Sequence, residues 1–80
     1  MSDITTLDLR GLRCPMPVLK TRQCLRKLAV GDELQVVTDD PLAGLDIPAF
    51  CNEKKQQLVE QVSEGEDVNR FTIRRSEGKL

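Results

Sequence analysis

Along this chain apolar residues first alternate with polar ones, then recur at steps of three and four, then alternate again. From Ile4 to Arg10, Leu7 and Leu9 fall on one side and Asp8 and Arg10 on the other, the period of a strand. Gly11 breaks it. From Pro15 to about Leu28, Val18, Thr21, Leu25 and Leu28 recur at helical spacing, while Lys20, Arg22, Gln23, Arg26 and Lys27 fall elsewhere. Gly31-Asp32 forms a turn, and Glu33 to Thr38 a second strand whose Val36-Val37 pair predicts burial on both faces. Asp39-Asp40-Pro41 ends that strand, because proline cannot continue the ladder. After a loop with Gly44, Asp46-Ile47-Pro48 opens a second helix, with Asp46 as N-cap and Pro48 in the first turn. It buries Ile47, Phe50 and Cys51 and runs out near Gln57. Leu58 to Ser63 and Val68 to Arg75 then read as strands around Glu64-Gly65-Glu66-Asp67, a hairpin signal. Phe71 and Ile73 point inward, Thr72 and Arg74 outward. The tail from Ser76 to Leu80 is expected to be loose.

The order β-α-β-α-β-β predicts an α+β protein: a two-layer α/β sandwich with two helices on one face of a four-stranded sheet. The order of strands in that sheet is left open by the pattern. Eighty residues suit a single domain spanning 1–80, ordered from about residue 4 to residue 76, with no internal repeat or linker. So short a chain buries only about 60% of its unfolded surface, which disfavours a deep private pocket. Apolar residues at 39% and charged residues at 31% fit a globular protein. No apolar run approaches the roughly 20 residues that cross a bilayer. Met1-Ser2-Asp3-Ile4-Thr5-Thr6 lacks the layout of a signal peptide, so a cytoplasmic protein without membrane contact is expected.

Missing residue types narrow the chemistry. There is no His, Trp or Tyr, so a Ser-His or Cys-His hydrolytic pair cannot be built within the chain. Only Phe50 and Phe71 could stack on bases, and the net charge is −1, which argues against direct nucleic-acid binding. Three cysteines remain: Cys14, Cys24 and Cys51. An odd count argues against a disulfide framework. Without Cys-x-x-Cys or histidine, zinc is not expected either, and neither is any other cofactor.

Gly11-Leu12-Arg13-Cys14-Pro15-Met16-Pro17 is the most informative stretch. It places Cys14 between a strand and a helix, as N-cap, with Pro15 at the first helical position. Two prolines remove two of the four unpaired amides of a helix start, which would leave the Met16 amide to face the sulfur. A thiolate there meets the positive end of the helix dipole, which alone moves a thiol by less than about one pKa unit. Between Leu9 and Gly31 lie Arg10, Arg13, Lys20, Arg22, Arg26 and Lys27 and no acid, whereas residues 32–69 hold ten acids against Lys54 and Lys55. The expectation is a modestly depressed pKa for Cys14. Cys24 and Cys51 read as structural, and Asp39, Asp40 and Asp46 as turn and cap groups rather than catalysts.

Leu7-Asp8-Leu9-Arg10-Gly11-Leu12-Arg13-Cys14-Pro15-Met16-Pro17, Gly31-Asp32, Asp39-Asp40-Pro41, Asp46-Ile47-Pro48 and Phe71-Thr72-Ile73-Arg74-Arg75 together resemble the TusA/SirA-like family of bacterial and archaeal sulfur carriers. The resemblance runs from about Leu7 to Arg75, and its Cys-Pro-x-Pro element is specific in that context. It implies a mixed four-stranded sheet with both helices on one side. It also implies that Cys14 carries sulfane sulfur as a persulfide, supplied by a cysteine desulfurase or rhodanese-type donor and collected by an acceptor protein. In family members such relays serve tRNA 2-thiolation, sulfur oxidation, molybdenum-cofactor assembly or thiosulfate use. Cys24 departs from the expected pattern.

The residues fit that reading independently, since sulfane transfer is thiolate attack on a sulfur–sulfur bond and needs no histidine. Gly11, Arg13, Pro15, Met16 and Pro17 would support the site. Arg13, Lys20, Arg22, Arg26 and Lys27 would steer acidic partners, with association weakened by salt. The expected protein is a monomeric carrier rather than a turnover enzyme with its own pocket. The alternatives are a regulatory protein-binding module without sulfur transfer, and a redox sensor pairing Cys14 with Cys24, which about 15 Å of helix disfavours.

Overall fold

The computed structural model describes residues 4–80. Its elements are β1 (Ile4–Asp8), α1 (Met16–Arg26), β2 (Glu33–Thr38), α2 (Ala43–Glu53), β3 (Gln57–Gly65) and β4 (Val68–Arg74). The sheet order is β1-β2-β4-β3, with β1 parallel to β2 and the other two pairs antiparallel. The β1–β2 crossover needs a connection long enough to return to the same end of the sheet, and α1 supplies it. α2 then carries the chain to the far edge, and the β3–β4 hairpin brings β4 back beside β2. The mixed, four-stranded α+β architecture is as expected.

Pleat alternation sorts the side chains. Leu34 and Val36 of β2 pair with Ile73 and Phe71 of β4, and all four are fully buried. Pro17, Thr21 and Leu25 of α1 and Ala43, Ile47, Phe50 and Cys51 of α2 complete the core with Leu9. The opposite sheet face is polar, with Arg74 paired to Glu33 at 2.9 Å and Arg70 to Glu64 at 2.9 Å. Val37 lies on that face and is only half-buried, so β2 is not covered on both sides as its valine pair predicts. A β2 strand central in the sheet needs no second helical layer, and the hydrophobic pair alone could not tell the two cases apart.

Two helix starts and the tail differ from expectation. α1 begins at Met16 with Pro15 as its cap residue, so Cys14 lies in the turn before it rather than at the N-cap. The Cys14–Pro15 peptide is cis. α2 begins at Ala43, three residues ahead of Asp46, and Pro48 lies inside it. The reason is Asp40: its carboxylate accepts from the Leu42 amide at 3.1 Å and its carbonyl from Ala43 at 3.0 Å, which starts the helix earlier. α2 also ends at Glu53, well before Gln57.

The tail is not loose. The buried Gln56 side chain accepts from the Ser76 amide at 2.7 Å and donates to the Gly78 carbonyl at 3.1 Å. Arg26 donates to the Leu80 carbonyl at 2.8 Å, and Leu80 packs against the core.

Candidate functional site

Parallel pairing brings the ends of β1 and β2 to the same edge of the sheet, so the loops that follow them lie side by side. Both helices start from those loops. Leu9 continues the contact, its amide donating to the Val37 carbonyl at 2.7 Å. The Gly11 loop then meets the two aspartates after β2. Gly11 donates to Asp39 at 2.9 Å, with φ +89°, a conformation L side chains rarely adopt. Arg13 reaches the same Asp39 oxygen at 2.8 Å. The amide of Cys14 donates to Asp40 at 2.7 Å. Asp40 is itself 3% exposed. Two neighbouring carboxylates thus pin both ends of the Gly11–Cys14 segment and hold the sulfur at the surface.

Cys14 is exposed, whereas Cys24 is partly buried and Cys51 buried, and all three are free thiols. The sulfur sits at the mouth of an open groove of about 400 Å³ between α1 and α2. Pro15, Val18 and Leu19 form one wall, Ala49 and Phe50 the other. Met16, Leu19, Leu42 and Leu45, all on or beside the first turns of the two helices, are exposed apolar side chains. Among the described residues no cluster of Cys, Asp and Glu is placed to hold a metal ion.

The thiol's electrostatics differ from expectation. Cys14 has its pKa raised, first by the neighbouring Asp46 carboxylate, then by desolvation and by the charges of Asp46 and Asp40. The Met16 amide does not face the sulfur either: it donates to the Arg13 carbonyl at 2.9 Å. The basic segment fails to lower the thiol because its charges are spent or distant. Arg13 is paired with Asp39 and Arg26 is tied to the C-terminal tail. Lys20 and Lys27 are exposed further along α1 and its end, and Lys27 acts on Cys24 instead. Arg22 alone of these reaches the groove, with its Nε buried and unpartnered among the described residues.

Asp40 and Asp46 are the residues that sequence reasoning set aside. Both carry the polarity expected of turn and cap residues, and only the parallel β1–β2 pairing reveals that they converge on Cys14.

These features define a small α+β protein with one surface thiol set beside paired helix starts. The chain belongs to the TusA family: the family model described as Sulfurtransferase TusA matches residues 5–75. It is also similar to a solved structure, a SirA-like protein from Desulfitobacterium hafniense, with a TM-score of 0.79 and 25% identity over 94% of this chain and 100% of that one. Family membership brings a sulfur-carrier role in general, exercised in relay with other proteins. No helix among the described residues is long and apolar enough to cross a membrane.

Proposed function

We propose that the protein accepts sulfane sulfur on Cys14 and hands it to the thiol of a partner protein. The observation that carries this reading is an exposed sulfur on a loop pinned by Asp39 and Asp40 at the mouth of an apolar-walled groove. In loading, the Cys14 thiolate attacks the terminal sulfur of a donor persulfide. A new sulfur–sulfur bond forms on Cys14 as the donor's breaks, and its electron pair leaves on the donor thiolate. In unloading, the acceptor thiolate attacks the same terminal sulfur and Cys14 leaves. The sulfur atom moves without net oxidation, so neither step needs a cofactor.

A donor of the cysteine desulfurase or rhodanese type and an acceptor with its own reactive cysteine fit this chemistry. Delivery to tRNA 2-thiolation or sulfur oxidation in the cytoplasm is the expected setting. Exposed apolar residues at both helix starts support docking around the sulfur, with Arg13, Lys20, Arg22, Arg26 and Lys27 as an outer basic stripe on α1 and its flanks.

Incubation with a cysteine desulfurase and cysteine tests the reading. Intact-mass and peptide analysis should show a gain of about 32 Da, one sulfur atom, on Cys14 and none in Cys14→Ala. An unchanged mass, or equal loading of Cys24, would overturn it.

A further inference from the structure

Asp39 and Asp40 both reach the Cys14 loop, but they hold it differently. Asp39 spends a single oxygen on Gly11 and Arg13. Asp40 divides its two oxygens between separate segments: Oδ2 accepts from the Cys14 amide at 2.7 Å, Oδ1 from the Leu42 amide at 3.1 Å. It is buried, and its own amide donates to the hydroxyl of fully buried Thr38 at 3.2 Å, which fixes the root of the side chain. Among the described residues no other hydrogen bond joins Cys14 to the α2 side.

The two amides belong to surfaces with different tasks. Leu42 and Leu45 stand exposed at the start of α2, and Met16 and Leu19 at the start of α1. A protein that docks around the sulfur grips these four side chains, yet the atom it must reach lies in the loop ahead of α1. The chain itself holds Cys14 two residues from Met16. On the α2 side the hold is the Asp40 carboxylate.

We propose that Asp40 is a positioning residue that fixes the register between the α2 half of the docking rim and the Cys14 sulfur. This rests on the sulfur-carrier reading and deepens it. Transfer aligns attacking, transferred and leaving sulfurs, and a misplacement of about 1 Å can cost on the order of a hundredfold in rate. The bond changes are those of loading and unloading, and Asp40 itself gives and takes no proton. Both of its oxygens are needed. An asparagine has one acceptor oxygen and one NH2, so at position 40 it cuts one of the two links whichever way it turns. The charge of Asp40 meanwhile works against the thiolate, being among the causes that raise the thiol. A loss of transfer on removing that charge therefore cannot come from a scarcer thiolate.

The test sets two sulfur electrophiles against the native chain and Asp40→Asn at pH 7. One is the persulfide of a cysteine desulfurase, which must dock; the other is a small aromatic disulfide, which approaches from any side. Desulfurase loading, read as a gain of about 32 Da on Cys14, should slow by about tenfold or more at saturating carrier. The half-saturating concentration should stay close to the native one, because the rim residues are unchanged. The disulfide rate should not fall. Hydrogen exchange at the Cys14 amide should quicken. A loss of global stability would instead slow both reactions alike or neither. Equal loading of the two chains, the same loss with both reagents, or a change confined to the half-saturating concentration would overturn the proposal. If Asp40→Asn does not fold by circular dichroism, Asp40→Ser gives the same reading, since a serine hydroxyl can meet the Leu42 amide two residues on and has no second oxygen for Cys14. A native chain that gains no sulfur would sink the carrier reading and this role with it, whereas a native chain that loads no faster than Asp40→Asn would sink only the role of Asp40.

Discussion

The carboxylate of Asp40 accepts from the amide of Cys14 at 2.7 Å and from that of Leu42 at 3.1 Å, so one side chain both seats the Cys14 loop and starts α2. Removing it leaves both donors without their partner in a largely dry setting, at a cost of about 1–3 kcal/mol. For a domain of this size, thermal unfolding of Asp40→Ala should fall by about 4–8 °C per kcal/mol lost. The same variant should widen the range of rates at which Cys14 meets thiol reagents, because the loop's position is no longer fixed. An unchanged melting temperature would mean that water replaces the carboxylate at no cost. Asp39 is the half-buried counterpart: the Gly11 amide and Arg13 hold its carboxyl below the usual value.

At the scale of the element, α2 divides its work along its own length. Its first turn places Asp46 in the groove that Cys14 also lines, while Ala43, Ile47, Phe50 and Cys51 are buried. Burial pushes the Cys51 thiol up to about 11. A thiol raised in the folded state contributes stability that is fully present below its unfolded value, and that contribution fades as pH climbs through the folded one. The unfolding free energy should therefore fall between about pH 9 and 11, by an amount of the order of 2 kcal/mol, read as a falling melting temperature. Cys51→Ala should flatten that part of the profile while lowering stability at neutral pH by creating a cavity. In the native chain Cys51 should react with thiol reagents only as fast as the whole protein unfolds, and faster labelling at pH 8 would contradict its burial.

Across the whole molecule, the last five residues close the structure by spanning from the end of β4 past Gln56 to α1. Arg75 adds contacts to the Ser76 and Gly78 carbonyls. Gly78 is required by space: a Cβ there would lie 2.1 Å from the Lys54 carbonyl, which is backbone and cannot yield. Gly78→Ala should release the tail and cost about 1–3 kcal/mol, with faster hydrogen exchange at the Ser76 amide as the local signature. Unchanged exchange would show that the tail accommodates the methyl by shifting as a unit. The charge pattern also changes meaning at this scale. Six basic residues without an acid between Leu9 and Gly31 look like an electropositive setting for Cys14, but folding pairs Arg13 with Asp39 and sends Arg26 to the tail.

Local physics made most of the elements readable from the chain. Alternation gave β1 and β4, the three-and-four spacing of Thr21 and Leu25 gave α1, and Gly65 with Asp67 (φ +59°) marked the hairpin. The proposal of Cys14 as the sulfur-carrying residue is equally local, because it follows from the residue types available. Strand order, the partners of the aspartates and the protonation bias of the thiol were not local. Each depends on parallel pairing of β1 with β2, which sets residues 26 and 28 positions apart against one another. Periodicity reports which way a side chain points within its own element. What it points at is decided only when distant segments pack, and there the charges that weigh on the sulfur turned out to be acids.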